Sequence, residues 1–235
     1  MASCTHTLNL FIHSVVHKFH NYNKRYQQML VLPIKKADAF DTTKPLSTFL
    51  TKEYSTEASK YENSLTSFLR IRNNAISVSG SSGQLGFHNI LRYNYHMKSI
   101  AKRLSGYESE IKFAFSWVDA FNPSKRIVTG SLHHDWACVL WNLASLESHR
   151  GTHVDRSTNE GIRAASQHFQ QAAGVFSLLK SDIVPKINGV KSEELCDGFL
   201  NVLLNLNLAQ AQICFYEKAV RVSEMDHYGS LCGTM

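Results

Sequence analysis

Proline and glycine are scarce in this chain, four and twelve among 235 residues. Turns draw heavily on both residue types, so a many-turned all-β architecture is not expected and the pattern leans helical. No run of about eighteen apolar residues occurs, so no membrane-spanning helix is expected. The apolar N-terminal stretch LNLFIHSVVHKF is broken by His13 and is followed by no small-residue cleavage site, so a signal peptide is not expected either. The five cysteines (Cys4, Cys138, Cys196, Cys214 and Cys232) are odd in number and form no C-x-x-C pair. That usage fits a reducing cytosol, with cysteine serving as a small hydrophobe. The glycine- and serine-rich stretch at 79–86 lacks the G-x-x-x-x-G-K-[ST] spacing that cradles phosphate.

Charge is also modest. Charged residues make up 19% of the chain and hydrophobic residues 43%, a globular balance. The net charge of +6 is spread along the sequence. Its densest points are the pairs Lys24-Arg25, Lys35-Lys36 and Lys125-Arg126, without the basic clusters and aromatic neighbours of a nucleic-acid site. No nucleic-acid partner is expected, and a basic surface of this size implies at most weak peripheral contact with anionic membrane.

Residues 1–28 carry His6, His13, His17 and His20 but no clear place in a core, and they read as an extension. The histidines have no acidic or cysteine partner at ligand spacing, so no metal site is expected. From Met29 the stretch MLVLPIKKADAFD reads as extended and closes at Asp41-Thr42-Thr43. Pro45 then suits the opening of a short helix, LSTFLTKEY. A helix is expected over 55–75, capped by Ser55, with Tyr61, Leu65, Phe68, Leu69 and Arg72 on one face. Another is expected over 87–104, with Phe87, Ile90, Leu91, Ile100 and Leu104 inward, Tyr93, Tyr95 and Met97 flanking, and Gly106 at its end.

At Phe113 the period changes. Phe113, Phe115 and Trp117 alternate with smaller residues, a strand signature; Asn122-Pro123-Ser124 turns the chain, and residues 126–129 return as a second strand. Two long amphipathic helices follow. The first starts near Ser131, carries Trp136, Val139, Leu140, Leu143 and Ala144 on one stripe, and ends at Gly151. The second starts at a capping box, Ser157 with Glu160, and carries Ile162, Ala165, Phe169, Ala172, Ala173, Phe176 and Leu179 inward. After a break at Pro185 and Asn188-Gly189, Ser192 caps a last long helix with Leu195, Phe199, Val202, Leu203, Leu206, Ala209 and Ile213 on one face, running to about Val222. Beyond it no clear periodicity is present.

His133, His134, Asp135 and Cys138 invite a cysteine-histidine nucleophile. Successive positions on a helix point in different directions, and nothing else supplies an oxyanion site. With no acid/base dyad, phosphate cradle or metal cluster, neither enzymatic activity nor a cofactor is expected.

The stretch from Phe113 to Lys180, with the helix after it, resembles the BRO-one domain of the ALIX-like endosomal sorting scaffolds. The matching residues are F-x-W-x-D-A-F at 115–121, A-C-V-L-W-N-L-A-S-L at 137–146, E-G-I at 160–162, H-F-Q-Q-A-A-G-V-F at 168–176 and L-A-Q-A-Q-x-C-F-x-E-K-A at 208–219, in the family's order and spacing. The resemblance runs from about Met29 to Ala219. It implies a mainly α fold, an antiparallel helical array with a tetratricopeptide-like core and a small β-hairpin. It also implies a non-catalytic adaptor, cytoplasmic and recruited to endosomes, that binds the C-terminal amphipathic helix of an ESCRT-III subunit during multivesicular-body sorting. Carried over position by position, the family's groove residues fall on Phe215, which supplies apolar area, and Lys218, which meets an acidic residue of the partner. A Rho-GTPase effector scaffold is the alternative within the same resemblance; it needs recognition elements that are not visible here.

The sequence departs from the pattern near its end. Family domains continue with several more helices, so the likeness is to a C-terminally truncated domain, and the alternative expectation is a fragment that does not bind. Where the groove should be completed by aliphatic residues stand Tyr228 and Cys232. The chain accordingly divides into an extension (1–28), a partial domain of this type (29–222) and a divergent tail (223–235). Cys232-Gly233-Thr234-Met235 formally matches the C-a-a-X lipidation pattern at Cys232, with poor residues at its aliphatic positions.

Overall fold

The computed structural model describes residues 29–55, 58–78 and 83–232, the side chains of 58 and 222–232 excepted. The expected extension at 1–28 lies outside the described residues. Seven helices and one hairpin follow the extended segment 29–42: α1 (Thr43–Tyr54), α2 (Glu62–Ile76), α3 (Gly83–Leu104), α4 (Glu108–Ile111), β1 (Phe115–Val118), β2 (Arg126–Thr129), α5 (Leu132–His153), α6 (Asn159–Leu178) and α7 (Asp197–Cys232). The mainly helical fold with a small antiparallel hairpin is as the sequence indicates.

Helix α5 is the axis of the molecule. Every residue from Leu132 to Ser148 is buried, so it lacks the solvent-facing side that the amphipathic reading assigned to it. A helix buried all round must satisfy its polar side chains internally, and Asn142, Ser145 and Ser148 of α5 do so against an extended strand. Asn142 Oδ1 accepts from the Lys35 amide at 2.7 Å and its amide donates to the Lys35 carbonyl at 2.9 Å. Trp141 Nε1 and Ser145 Oγ both donate to the Pro33 carbonyl at 3.0 Å, and Ser148 Oγ to the Leu30 carbonyl at 3.3 Å. The segment 29–38 therefore runs along α5 with its backbone read by side chains, then pairs with the hairpin through the Asp38 amide on the Ser116 carbonyl and the Val118 amide on the Lys36 carbonyl.

A second buried cluster ties α2, α3 and β1 to the first turn of α5. The Arg72 guanidinium donates to Asp135 through Nε (3.1 Å) and an Nη (2.8 Å); Tyr93 Oη and Trp117 Nε1 donate to the same carboxylate at 2.5 and 2.7 Å. Burial alone raises the Asp135 carboxyl, but Arg72 and these bonds outweigh it and hold it below its ordinary value. Arg72 also stacks on the Phe115 ring, 4.7 Å from its centroid.

Several local expectations shift. Ser55, at φ 47°, ends α1 instead of capping α2. On α3 the inward stripe is Gly86, Ile90, Tyr93, Met97 and Ala101, while Leu91 is exposed; Tyr93 is drawn in by its bond to Asp135. Gly151 does not end α5. It lies within the helix where the Phe169 ring of α6 closes on it, and a Cβ there meets that ring at 2.9 Å. The N-cap of α6 is Thr158, whose hydroxyl accepts from the Gly161 amide at 3.0 Å. Ser157 is instead held by Asp155 through its amide and hydroxyl. The inward face of α6 is as expected, with Ile162, Ala165, Phe169, Ala172, Ala173, Phe176 and Leu179 all buried.

Candidate partner-binding face

Helices α5, α6 and α7 form the layer that presents the expected site. Near the start of α7, Phe199, Leu200 and Leu203 pack in the main core, where Phe199 stacks on Trp141. Further along, Ala211 and Cys214 join Met29, Ile162, Ala165 and Phe169 in a second cluster. Burial raises the Cys214 thiol to about 11. Ile162 lies one turn from the N-terminus of α6, so α7 passes the end of its neighbour at about Cys214 and continues to Cys232. That is some ten residues beyond the end read from periodicity.

At this overhang the loop between α5 and α6 grips α7 from one side. Arg156 Nε donates to Glu217 Oε2 at 2.9 Å, both side chains nearly buried, and the Arg221 guanidinium bonds the Arg156 carbonyl. Phe215, half exposed, and Lys218, exposed, flank this clasp. Tyr216 is 65% exposed, and Leu208, exposed as well, lies two turns before Phe215 in helical register. In helical register Lys218 continues the line of Ala211 and Cys214. The stripe that is interior up to Cys214 is therefore open at Lys218, with Phe215 at its edge. Position 232 falls nearer that line than position 228 does; the side chains of Tyr228 and Cys232 lie outside the described residues.

The start of α7 is fixed by a buried ion pair that the sequence did not signal. The loop after α6 ends in a 3-10 turn, Glu193–Leu195, and Glu194 bonds Lys35 in the core, each side chain fully buried. The second oxygen, Glu194 Oε2, has no hydrogen-bond donor among the described residues, and the Asp119 carboxyl interacts with the same side chain. Burial, with Asp119 beside it, raises Glu194 to about 7 against the pull of Lys35. Burial also raises Asp119, but its bond to Glu194 and those from the Phe121 and Asn122 amides (both 2.8 Å) win and hold it low. The two carboxyls are thus pushed apart, Glu194 up and Asp119 down. Ser192 does not cap a helix; its hydroxyl pairs with His134 Nε2 at 2.9 Å.

The cysteine-histidine pair is closer than the sequence argument allowed, because positions four apart share a face. Cys138 Sγ lies 3.7 Å from His134 Nδ1. Both are fully buried. Burial pushes the Cys138 thiol far up, while burial and the nearby Lys35 lower His134 to about 4. A neutral thiol beside a neutral imidazole, closed off from solvent, is a packing contact rather than an activated nucleophile. No described helix is long and apolar enough to cross a membrane.

Comparison with known proteins agrees with this geometry. The family model for the BRO1-like domain, the BRO-one domain named above, matches residues 29–230. The pH-response regulator protein palA/RIM20 of Emericella nidulans is 29% identical over 194 residues, covering 82% of this chain and 22% of that protein. The programmed cell death 6-interacting protein of Homo sapiens is 27% identical over 197 residues, covering 80% of this chain and 23% of that protein. The chain thus spans less than a quarter of the length of these relatives. Among solved structures, one described as an ALIX BRO1 CHMP4C complex superposes with a TM-score of 0.75 at 25% identity, over 84% of this chain and 58% of that one. ALIX in complex with the SIVmac239 PYKEVTEDL late domain superposes at 0.74, also at 25% identity, over 84% of this chain and 30% of that one.

Proposed function

Because the chain belongs to the BRO1-like domain family, we propose that it is a non-catalytic adaptor whose α7 overhang binds the C-terminal amphipathic helix of an ESCRT-III subunit in endosomal protein sorting. One observation carries this reading: Phe215, an aromatic side chain on a well-anchored helix, stays half exposed beside an exposed lysine, at the point where an interior stripe runs out of covering. Such an arrangement suits helix-in-groove recognition, in which apolar anchors supply area and a charged rim sets orientation. The similarity to an ALIX BRO1 domain in a CHMP4C complex supports it. In this reading Phe215 is the apolar anchor and Lys218 pairs with a partner carboxylate. Residues 29–222 form the binding body, 1–28 and 223–235 flank it in sequence, and a lipid on Cys232, in the C-a-a-X pattern, adds membrane affinity. The protein works in the cytoplasm, where partner binding brings it to endosomes.

The reading is tested by charge reversal. Lys218→Glu weakens binding of an ESCRT-III C-terminal helix peptide, and replacing the matching peptide acid with lysine restores it. Failure of every such compensating peptide, with Lys218→Glu binding as well as wild type, removes Lys218 from the site.

A further inference from the structure

Helix α3 carries a feature unrelated to the α7 site. Over 22 residues, Gly83–Leu104, it holds no acidic side chain and four cations, Arg92, Lys98, Lys102 and Arg103. All four are exposed, and among the described residues none joins an ion pair. The buried residues of α3 lie on a single stripe that packs on α2 and α5. At 100° per residue the cations fall on the opposite arc, with Tyr95 near its centre and Leu85 at its edge. Tyr95 is 74% exposed and Leu85 71%. The first acidic residue after the helix, Glu108, is engaged with the Leu132 amide at 2.6 Å.

We infer that the outward face of α3 is a contact surface for an anionic lipid bilayer. The chemistry favours a membrane over a protein or nucleic-acid partner. The cations are spread over three turns of one helix face, with a single exposed aromatic, Tyr95, where base stacking would use several. A diffuse negative surface matches that spread. The apolar stripe of α3 is taken up inside the protein, so the contact rests on charge, with the exposed Tyr95 ring at headgroup level; cations near an anionic leaflet each add about 1 kcal/mol, roughly fivefold. The contact is weak and salt-sensitive, and it acts beside partner binding rather than in place of it.

The test is flotation of the full chain with vesicles of neutral phosphatidylcholine, alone or with about one-third phosphatidylserine. Wild type binds the anionic vesicles at about 0.1 M salt, releases them at about 0.5 M as screening shortens the field, and leaves neutral vesicles unbound. Lys98→Gln with Lys102→Gln lowers binding by about 25-fold, the product of two fivefold losses, with circular dichroism and ESCRT-III peptide affinity unchanged. Should that variant misfold, Tyr95→Ser alone, with all four cations present, lowers binding several-fold. Equal binding to both vesicle types, full binding by the folded charge variant, or a preference for RNA or an acidic peptide over anionic vesicles overturns the inference. Loss of peptide binding with vesicle binding intact counts against the α7 reading alone.

Discussion

Asn142 pairs with both backbone groups of Lys35, accepting its N–H at 2.7 Å and donating to its carbonyl at 2.9 Å. One side chain on a buried helix thus does the work of a neighbouring strand. Asn142→Ala leaves two buried backbone groups of the 29–38 segment unpaired. Each unsatisfied group costs about 1–3 kcal/mol, so a loss of roughly 2–6 kcal/mol in urea-unfolding free energy is expected, with the m-value unchanged. Asn142→Asp keeps only the acceptor and places a charge in the core, so it does not restore the loss.

Asp135 is the sole hydrogen-bonded counter-charge of the fully buried Arg72 among the described residues. Asp135→Asn leaves the guanidinium buried and uncompensated, a change that costs about 3–5 kcal/mol. Arg72→Met combined with Asp135→Asn removes the charge with its partner and costs less than Asp135→Asn alone. A double-mutant cycle by thermal or denaturant unfolding reads the coupling directly.

Two buried groups pull the pH dependence in opposite directions. Glu194 rises from 4.5 to about 7 on folding, so its contribution is fully present below pH 4.5 and is lost as pH climbs through 7. His134 falls from 6.5 to about 4, so its contribution is present above pH 6.5 and is lost as pH drops through 4. Between pH 4.5 and 6.5 the two slopes oppose each other. Glu194→Gln keeps an acceptor for Lys35 and a donor for Asp119 but no longer titrates. Relative to wild type, its stability then gains a slope of up to about 1.4 kcal/mol per pH unit, falling towards acid, readable as the shift in urea midpoint across pH 4.5–7.

Gly161 is required by contact rather than by a left-handed φ. A Cβ at this position falls 1.8 Å from the Asp155 carbonyl oxygen. Gly161→Ala therefore forces the α5–α6 loop away from the N-terminus of α6 and costs about 1–3 kcal/mol. The same loop carries Arg156, so the Arg156–Glu217 clasp on α7 loosens too, and faster amide exchange at 217–221 reports it.

Elements that show their partners in their own period were legible from sequence. The alternation Phe115–Val118 gave the hairpin, the alanine and phenylalanine stripe gave the buried face of α6, and Asn188-Gly189 marked the break before α7. The misses share a cause: the deciding partner is far away in sequence. α5 reads as amphipathic because Asp135, Asn142, Ser145 and Ser148 are polar, yet each is satisfied by Arg72 or by the backbone of 30–35. Ser157 reads as a cap until Asp155 takes its hydroxyl. Glu194 reads as a solvated acid until Lys35 is seen beside it. For Phe215 and Lys218, the period of α7 fixes the face but cannot show that α6 ends at the level of Cys214, and that end leaves the face open.

The central claim is tested most directly by titrating an ESCRT-III C-terminal helix peptide into the wild-type chain and into Phe215→Asp, with circular dichroism on both. The expected result is micromolar or tighter binding by wild type and at least a tenfold loss in a variant that keeps its helix content, because a carboxylate at this half-exposed position removes the apolar anchor without entering the core. Equal affinity in the two proteins, or no binding by a fully folded wild-type chain, contradicts the α7 site.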